Sequence, residues 1–330
     1  MGTANSQQSI ILRFPLCNPS FFLIPDMPHT TWRTLSRRLN EQHPAMKLFH
    51  KAKRLGTWNP DDLDFTQDRA DWDRLSFPER DLIRMLAALF MAGEEAVTLD
   101  LLPLLKAIAE GGHLEEELYL TTFLWEEAKH VDFFNRFFRE VTGEPGDLHH
   151  YQGESYRLLF GEVLPGAMGR LYADPSPLAL AEASVVYNMI VEGVLAETGY
   201  HAWYTLLERY HLLPGTVAGI ALLQRDEARH IRYGVFLLSR LIAEHGPSLW
   251  QAIQTKLSAL LPVALGVFVE GFMRLEATHG AIPFGLDLAE FTDFAAMQFQ
   301  KRYARLEKAV GQPLQNLLSD EPTTEETVTD

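Results

Sequence analysis

The chain has 330 residues, 47% of them hydrophobic, enough to bury a large core. Its 29 Lys and Arg stand against 44 Asp and Glu, a net charge of -15, which argues against nucleic acid or an anionic membrane surface as the main partner. The single cysteine, Cys17, excludes an intrachain disulfide and a cysteine-based metal cluster, and suits a reducing cytoplasm.

The chain begins MGTANSQQSIILRFPLCNPSFFLIP, with no basic region ahead of a clean apolar core and with Pro15, Pro19 and Pro25 interrupting it, so no signal peptide is expected. Met1, Gly2 and Ser6 fit a myristoylation pattern, but one short enough to match many unmodified tails; an unmodified terminus is expected. Up to Phe77 the sequence reads as an extended arm with short helices, and TWNPDDLDFTQD (57–68) as a turn region rich in Pro and Asp.

Helical periodicity then takes over. One long helix opens with Ser76 as N-cap, Pro78 in its first turn and Glu79 three residues after the cap. A second runs from His113 and closes near Gly143. Residues 177–210 and 213–246 form another such pair, and 248–273 and 287–310 add two more. The apolar run ALLPVALGVFVEGFM (259–273) falls short of the roughly 20 residues a bilayer requires and carries Pro262 and Glu270, so it reads as a buried helix, not a transmembrane segment. No linker divides residues 1–318, which are expected to form a single domain. The tail SDEPTTEETVTD (319–330) is acidic and expected to be disordered.

Two short motifs stand out. EEAKH (126–130) and DEARH (226–230) each place a Glu and a His at i and i+3, on one face of a helix. Either alone is weak, because E-x-x-H is common on solvated helices. Both, however, lie in apolar helices, where an unpaired carboxylate is costly. Each also follows a helix that carries acids: Glu94 is 33 residues before Glu127, and Glu192 is 35 before Glu227. On spacing alone Glu95 competes almost evenly with Glu94, while Glu192 fits better than Glu197. The result, E…E-x-x-H twice over four long helices, is the ligand set of ferritin-like dinuclear carboxylate proteins. Four buried carboxylates would repel one another and protonate, whereas two divalent cations neutralise them. Oxygen and imidazole donors suit Fe or Mn, and the absence of thiolates disfavours structural zinc. Glu126 and Asp226 are candidates to orient the ligand histidines, Asp226 the better one. Glu270 fits a subunit contact, a channel or a satisfied buried acid. The expected fold is therefore all-α, a ferritin-like helical bundle with a four-helix dinuclear core and additional helices.

From Trp58 to Arg240 the chain resembles the ribonucleotide reductase small-subunit superfamily, through TWNPDDLDFTQD, EEAV (94–97), EEAKH and DEARH in order and spacing. Within it the chain is most similar to the small-subunit-like ligand-binding oxidases, which carry a mixed Mn/Fe site. That family has a valine three residues after its first Glu ligand and a tyrosine five before its third, here Val97 and Tyr187. The resemblance selects Glu94 over Glu95 and Glu192 over Glu197. It implies Mn on Glu94, Glu127 and His130, Fe on Glu192, Glu227 and His230, with di-iron as the alternative filling. It further implies O2 as oxidant, a Tyr-Val ether cross-link, a long-chain fatty acid as ligand and a homodimer. Val97 shares the face of Glu94; Tyr187 lies about 140° from Glu192 on an ideal helix and needs a distorted turn, such as a π-bulge, to reach the metals. Apart from the resemblance, Val97 reads as core packing and Tyr187 as a core phenol.

The position of the radical tyrosine of reductase subunits, four residues after the first ligand histidine, is Phe134, as it also is in Mn/Fe reductase subunits. No tyrosine follows Tyr303, where those subunits use one in their tail. A cytoplasmic, O2-activating oxidase acting by two-electron oxidation of an apolar ligand is the leading expectation. A Mn/Fe reductase small subunit and a metal- or lipid-binding protein without turnover are the alternatives.

Overall fold

The computed structural model describes residues 32–143 and 146–319. Cys17, the proline-interrupted N-terminal arm, the myristoylation pattern and the acidic tail from residue 320 lie outside the described residues. Contacts set the stretch up to Leu39, with the short helix α1 (Arg33–Ser36), apart from a unit that begins at Asn40.

The described residues of that unit are mainly helical, with no strand among them. It starts with α2 (Pro44–Leu55) and α3 (Thr66–Arg74), then two long helices, α4 (Phe77–Glu110) and α5 (Leu114–Phe137). The capping box read from Ser76 and Glu79 is formed, the Ser76 amide donating to Glu79 Oε2 at 2.7 Å. A π-helical turn, Phe138–Thr142, extends α5 to Gly143, whose φ of 76° ends it where the sequence placed the stop.

Between 146 and 176 the sequence pattern predicted no element. The structure has α6 (Glu154–Leu158), a π turn (Leu159–Val163) and α7 (Leu164–Arg170) there. Gly153, Gly161, Gly166, Gly169 and Pro165 mask the helical period, which tertiary packing on α4 and on the helix that follows α10 restores.

Next come α8 (Pro177–Ser184), a twelve-residue π-helical segment (Val185–Ala196) and α9 (Glu197–Tyr210), continuous with one another. Then follow α10 (Pro214–His245), α11 (Pro247–His279), α12 (Leu288–Glu307) and α13 (Leu314–Ser319). Asp68 of α3 fixes where α10 begins: its carboxylate accepts from the amides of Gly215 at 2.8 Å and Thr216 at 2.7 Å, at the positive end of the helix dipole.

Four elements make the core: α4 packs on α5, the π segment packs on α10, and α5 meets α10. One apolar cluster includes Val97, Phe123 and Tyr187; another includes Phe133, Phe134 and Tyr200. The reading of 259–273 as a buried helix is corrected. In this stretch of α11 only Leu260, Ala264 and Gly271 are buried, because the helix is an outer wall with a single face on the bundle. By length and composition α11 and the run 177–210 could each cross a membrane, but the latter is mostly buried within the bundle.

Candidate metal centre

The four core elements bring Glu94 (α4), Glu127 and His130 (α5), Glu192 (π segment), and Glu227 and His230 (α10) together, each 5% exposed or less. Glu94, Glu127, His130 and Glu227 form one group with ligand atoms within 4.8 Å of one another, and Glu127, Glu192, Glu227 and His230 form a second. Glu127 and Glu227 belong to both, so they lie between the two positions. The competing acids are elsewhere: Glu95 is exposed, and Glu197 lies 3.8 Å from Arg302.

Each histidine turns Nδ1 inward. His130 Nδ1 is 3.4 Å from both Glu94 and Glu227, and His230 Nδ1 is 3.1 Å from Glu127. The Nε2 atoms face the leading acids of the opposite motif. His230 Nε2 is 2.9 Å from Glu126 Oε2, and His130 Nε2 is 3.4 Å from Asp226 Oδ2. Of the two orienting candidates Glu126 makes the closer contact, the reverse of the ranking read from sequence. Its approach depends on Gly56, where an added Cβ would fall 2.0 Å from Glu126 Oε1.

The cations of the motifs, left without a role in the sequence reading, complete this crossed arrangement. Buried Arg229 donates to Glu126 Oε1 at 2.6 Å and also bonds Asp226. Buried Lys129 donates to Asp226 Oδ2 at 3.0 Å and to the Gly56 carbonyl at 2.8 Å, with its ammonium over the rings of Trp58 and Trp125. Trp58 Nε1 also donates to Asp226, at 2.8 Å. The repeat of acid and cation at matching positions was the available signal. Asn188 was missed too: its Nδ2 donates to Glu192 Oε2 at 2.9 Å, while its Oδ1 accepts from Ser184. Gly234 makes room for it, since a Cβ there would lie 2.2 Å from Asn188 Cβ.

Protonation shows how uneasy this cluster is without counter-charge. Burial pushes the Glu94 carboxyl up to about 8, against the pull of His130, and drives Glu192 well above the carboxylate range together with the Glu227 charge. Burial acts the same way on Glu127, but the adjoining imidazoles of His130 and His230 outweigh it and hold that carboxyl at about 2. For both histidines burial favours the neutral ring, yet the surrounding carboxylates lift them well above their ordinary value. Both oxygens of Glu127, Glu192 Oε1, Glu227 Oε2 and the Nδ1 atoms of both histidines are buried without a hydrogen-bond partner. Converging orphaned donors of this kind fit divalent cations, which would take the place of the retained protons.

Tyr187 and Val97 meet beside the cluster. The phenol, fully buried, donates to the Val97 carbonyl at 3.1 Å. The distorted turn that the sequence demanded is the π segment itself, whose i to i+5 hydrogen bonds bring residues five apart toward one face. Phe134 packs against Phe90 and Phe133, with no phenol at that position. A cavity borders the site, and among the described residues the four glutamates are its only charged lining. Its walls are apolar, among them Leu89, Phe90, Phe160, Val267 and Phe268. Glu270 is not part of it: that carboxylate accepts from the Ser155 amide and hydroxyl, tying α6 to α11 as a satisfied acid.

A helical bundle whose four core elements converge two E-x-x-H motifs and two further glutamates is a dinuclear carboxylate protein of ferritin-like type. Residues 38–264 match the family described as ribonucleotide reductase, small chain. Among solved structures the chain is similar to R2-like ligand-binding oxidases reconstituted with a Mn/Fe cofactor. A tyrosine-to-phenylalanine variant and a valine-to-leucine variant each align at 38% identity and a TM-score of 0.79, over 84% of this chain and 98% of theirs. A glycine-to-phenylalanine variant aligns at 39% identity and a TM-score of 0.77, with the same coverage. The chain belongs to the ribonucleotide reductase small-chain family and, within it, stands with the R2-like ligand-binding oxidases, a group of oxidoreductases.

Proposed function

We propose that this protein is an O2-dependent oxidase that holds one Mn and one Fe, and carries out a two-electron oxidation of an apolar ligand of long-chain fatty acid type. The observation that carries this reading is the pair of overlapping four-residue groups set at the charged side of an otherwise apolar cavity. Glu94, Glu127 and His130 would hold the Mn, and Glu192, Glu227 and His230 the Fe. When bound there, such a pair supplies activation of O2 and a site for a ligand carboxylate.

The chain's own residues perform the remaining tasks. Glu126 and Asp226, as carboxylates beside Nε2, fix which histidine nitrogen faces inward. Arg229 gives both of those acids a cationic partner, and Lys129 gives Asp226 a second one. The hydrocarbon walls would exclude water and accept an alkyl chain, with its charged end toward the four glutamates and the cations they would hold. Tyr187 holds its phenol proton at the Val97 carbonyl, which places the oxygen next to the valine with which it would form an ether. Supporting that link, the substituted tyrosine and valine of the similar oxidases stand 90 positions apart, as Tyr187 and Val97 do. A cytoplasmic homodimer is part of the same reading.

Anomalous diffraction above and below each metal edge should find Mn on the Glu94 side and Fe on the Glu192 side. Mass analysis should find the Val97 and Tyr187 peptides joined with loss of two hydrogens. Oxygen uptake that stops after one equivalent per site, whatever lipid is offered, would leave only a metal- and lipid-binding protein.

A further inference from the structure

Reduction of O2 to water takes four electrons, and a two-electron oxidation of a ligand supplies only half of them. An oxidase that turns over therefore needs electrons from outside, and here the clustered acids and histidines are each 5% exposed or less. Electron transfer falls off steeply with distance, so a buried centre needs groups along the way that can themselves be oxidised.

One such path leads away from His230. Its ring stacks on Phe123 with centroids 3.6 Å apart; Phe123 is 6.0 Å from Tyr119, and Tyr119 is 5.2 Å from Tyr233. Glu116, Tyr119 and Phe123 share one face of α5 at i, i+3 and i+7, while His230, Tyr233 and Arg240 follow one face of α10. From His230 to Arg240 that face covers about 15 Å. The path ends at a proton acceptor: the Tyr233 hydroxyl donates to Glu116 Oε2 at 3.0 Å. Burial raises the Glu116 carboxyl above its ordinary value, against the pull of Arg240, so it takes up a proton more readily. Beyond it, His113 Nδ1 lies 3.5 Å from Glu116, and Arg240 joins Glu116 to Glu244. His113, Arg240 and Glu244 line a cavity of about 330 Å³, and the His113 side chain is 38% exposed.

Both phenols are fully buried, and the Tyr119 hydroxyl has no hydrogen-bond partner among the described residues, a desolvation cost that phenylalanine would avoid. Packing alone does not call for them. Trp58, which stacks near His130 with centroids 6.4 Å apart, is less suited: the Lys129 ammonium sits 4.2 Å over its ring, and positive charge there opposes removal of an electron.

We propose, on the O2-dependent reading of the metal centre, that Tyr119 and Tyr233 carry single electrons from a donor at the surface to the buried site, with Glu116 holding the phenol proton in transit. Tyr233 gives an electron through the Tyr119 ring to the oxidised metal pair and its proton to Glu116, leaving a neutral phenoxyl radical and a carboxylic acid. An outer-sphere one-electron reductant then returns the electron to the phenoxyl, and Glu116 returns the proton. The net step moves one electron inward and leaves the bonds of the protein unchanged.

Stopped-flow reduction of the O2-oxidised, Mn- and Fe-loaded chain by reduced methyl viologen, a cation that the apolar cavity would not admit, tests this. Tyr233→Phe and Tyr119→Phe should each slow the loss of the metal-pair absorption about tenfold or more. Glu116→Gln should slow it as well, because an amide cannot take the proton. Metal content read in the same samples separates slow electron transfer from a damaged site. In the unsubstituted chain, frozen before the donor is added, electron paramagnetic resonance should show a phenoxyl radical that narrows with ring-deuterated tyrosine, and Tyr233→Phe should remove it. Reduction as fast in both tyrosine variants as in the parent, or slowed only by Trp58→Phe, would overturn the route. A radical that survived Tyr233→Phe and vanished in Tyr187→Phe would overturn the assignment to Tyr233. A chain that binds both metals yet is not oxidised by O2 would overturn the O2-dependent reading and the route with it.

Discussion

The two halves of the metal centre repeat one motif but are not built alike. Glu94 projects from the regular helix α4, and its carboxylate faces His130 at 3.4 Å, whereas Glu192 projects from a π segment and is gripped by Asn188 at 2.9 Å. The histidines differ in the same sense. His230 has Glu126 at 2.9 Å, an acid it shares with Arg229; His130 has Asp226 at 3.4 Å, which it shares with Trp58, Lys129 and Arg229. The Glu192 half thus has the closer partners, Asn188 on its glutamate and Glu126 on its histidine, while the corresponding contacts of the Glu94 half are longer. This asymmetry is what a site needs to tell two similar ions apart with the same donor types, since ligand identity cannot do so.

The largest effects should separate shared ligands from unshared ones. Glu127→Ala and Glu227→Ala, which remove members of both groups, should each deplete both metals, whereas Glu94→Ala and Glu192→Ala should each deplete mainly one. Metal content by plasma emission spectroscopy decides it, and unchanged content in both shared variants would refute the site. Next in size are the crossed cations. Arg229→Met removes a cation shared by two buried acids and leaves Glu126 without one, although Asp226 retains Lys129, and should cost about 3–5 kcal/mol in urea unfolding of the metal-free protein. Lys129→Met strands only Asp226, which retains Arg229, and should cost less. The opposite order would mean that the Glu94 half is the rigid one.

Much of this centre was legible because its chemistry forces rare residue types into apolar helices: two E-x-x-H motifs and their upstream acids could be read from spacing alone. The choice between Glu94 and Glu95 could not, because adjacent acids differ only in which side of α4 faces inward, and the structure leaves Glu95 exposed. The π segment was foreseen only as a local distortion at Tyr187, yet it spans twelve residues, because register shifts of this kind leave no periodic trace in a run as uniformly apolar as VVYNMIVEGVLA. Helices α6 and α7 escaped notice behind their glycines. The pairing of Lys129 and Arg229 across motifs is a long-range contact that local patterns do not encode.

A finer probe of the asymmetry is removal of one charge from each orienting acid. Glu126→Gln and Asp226→Asn keep size and most hydrogen bonds but weaken the hold on His230 and His130 respectively, which should reduce metal affinity by about 10–100-fold. The greater loss is expected for Glu126→Gln, because its contact is the shorter and Asp226 is already shared. Competition with a chelator, followed separately for each metal, would show whether each variant acts on its own half. Equal losses at both metals would mean that the halves are coupled more tightly than their separate partners indicate.

The smallest expected effect is the most informative about chemistry. Tyr187→Phe removes a single buried hydrogen bond to the Val97 carbonyl, so the metal-free protein should lose only about 1 kcal/mol. Val97→Ala at the same contact leaves the phenol in place and should cost more, because it opens a gap in a packed core. Both variants should bind metal like the parent chain and both should lack the joined Val97 and Tyr187 peptides. Metal binding that fell with Tyr187→Phe would give the phenol a part in holding the cluster. A joined peptide that persisted in Val97→Ala would move the cross-link to another residue.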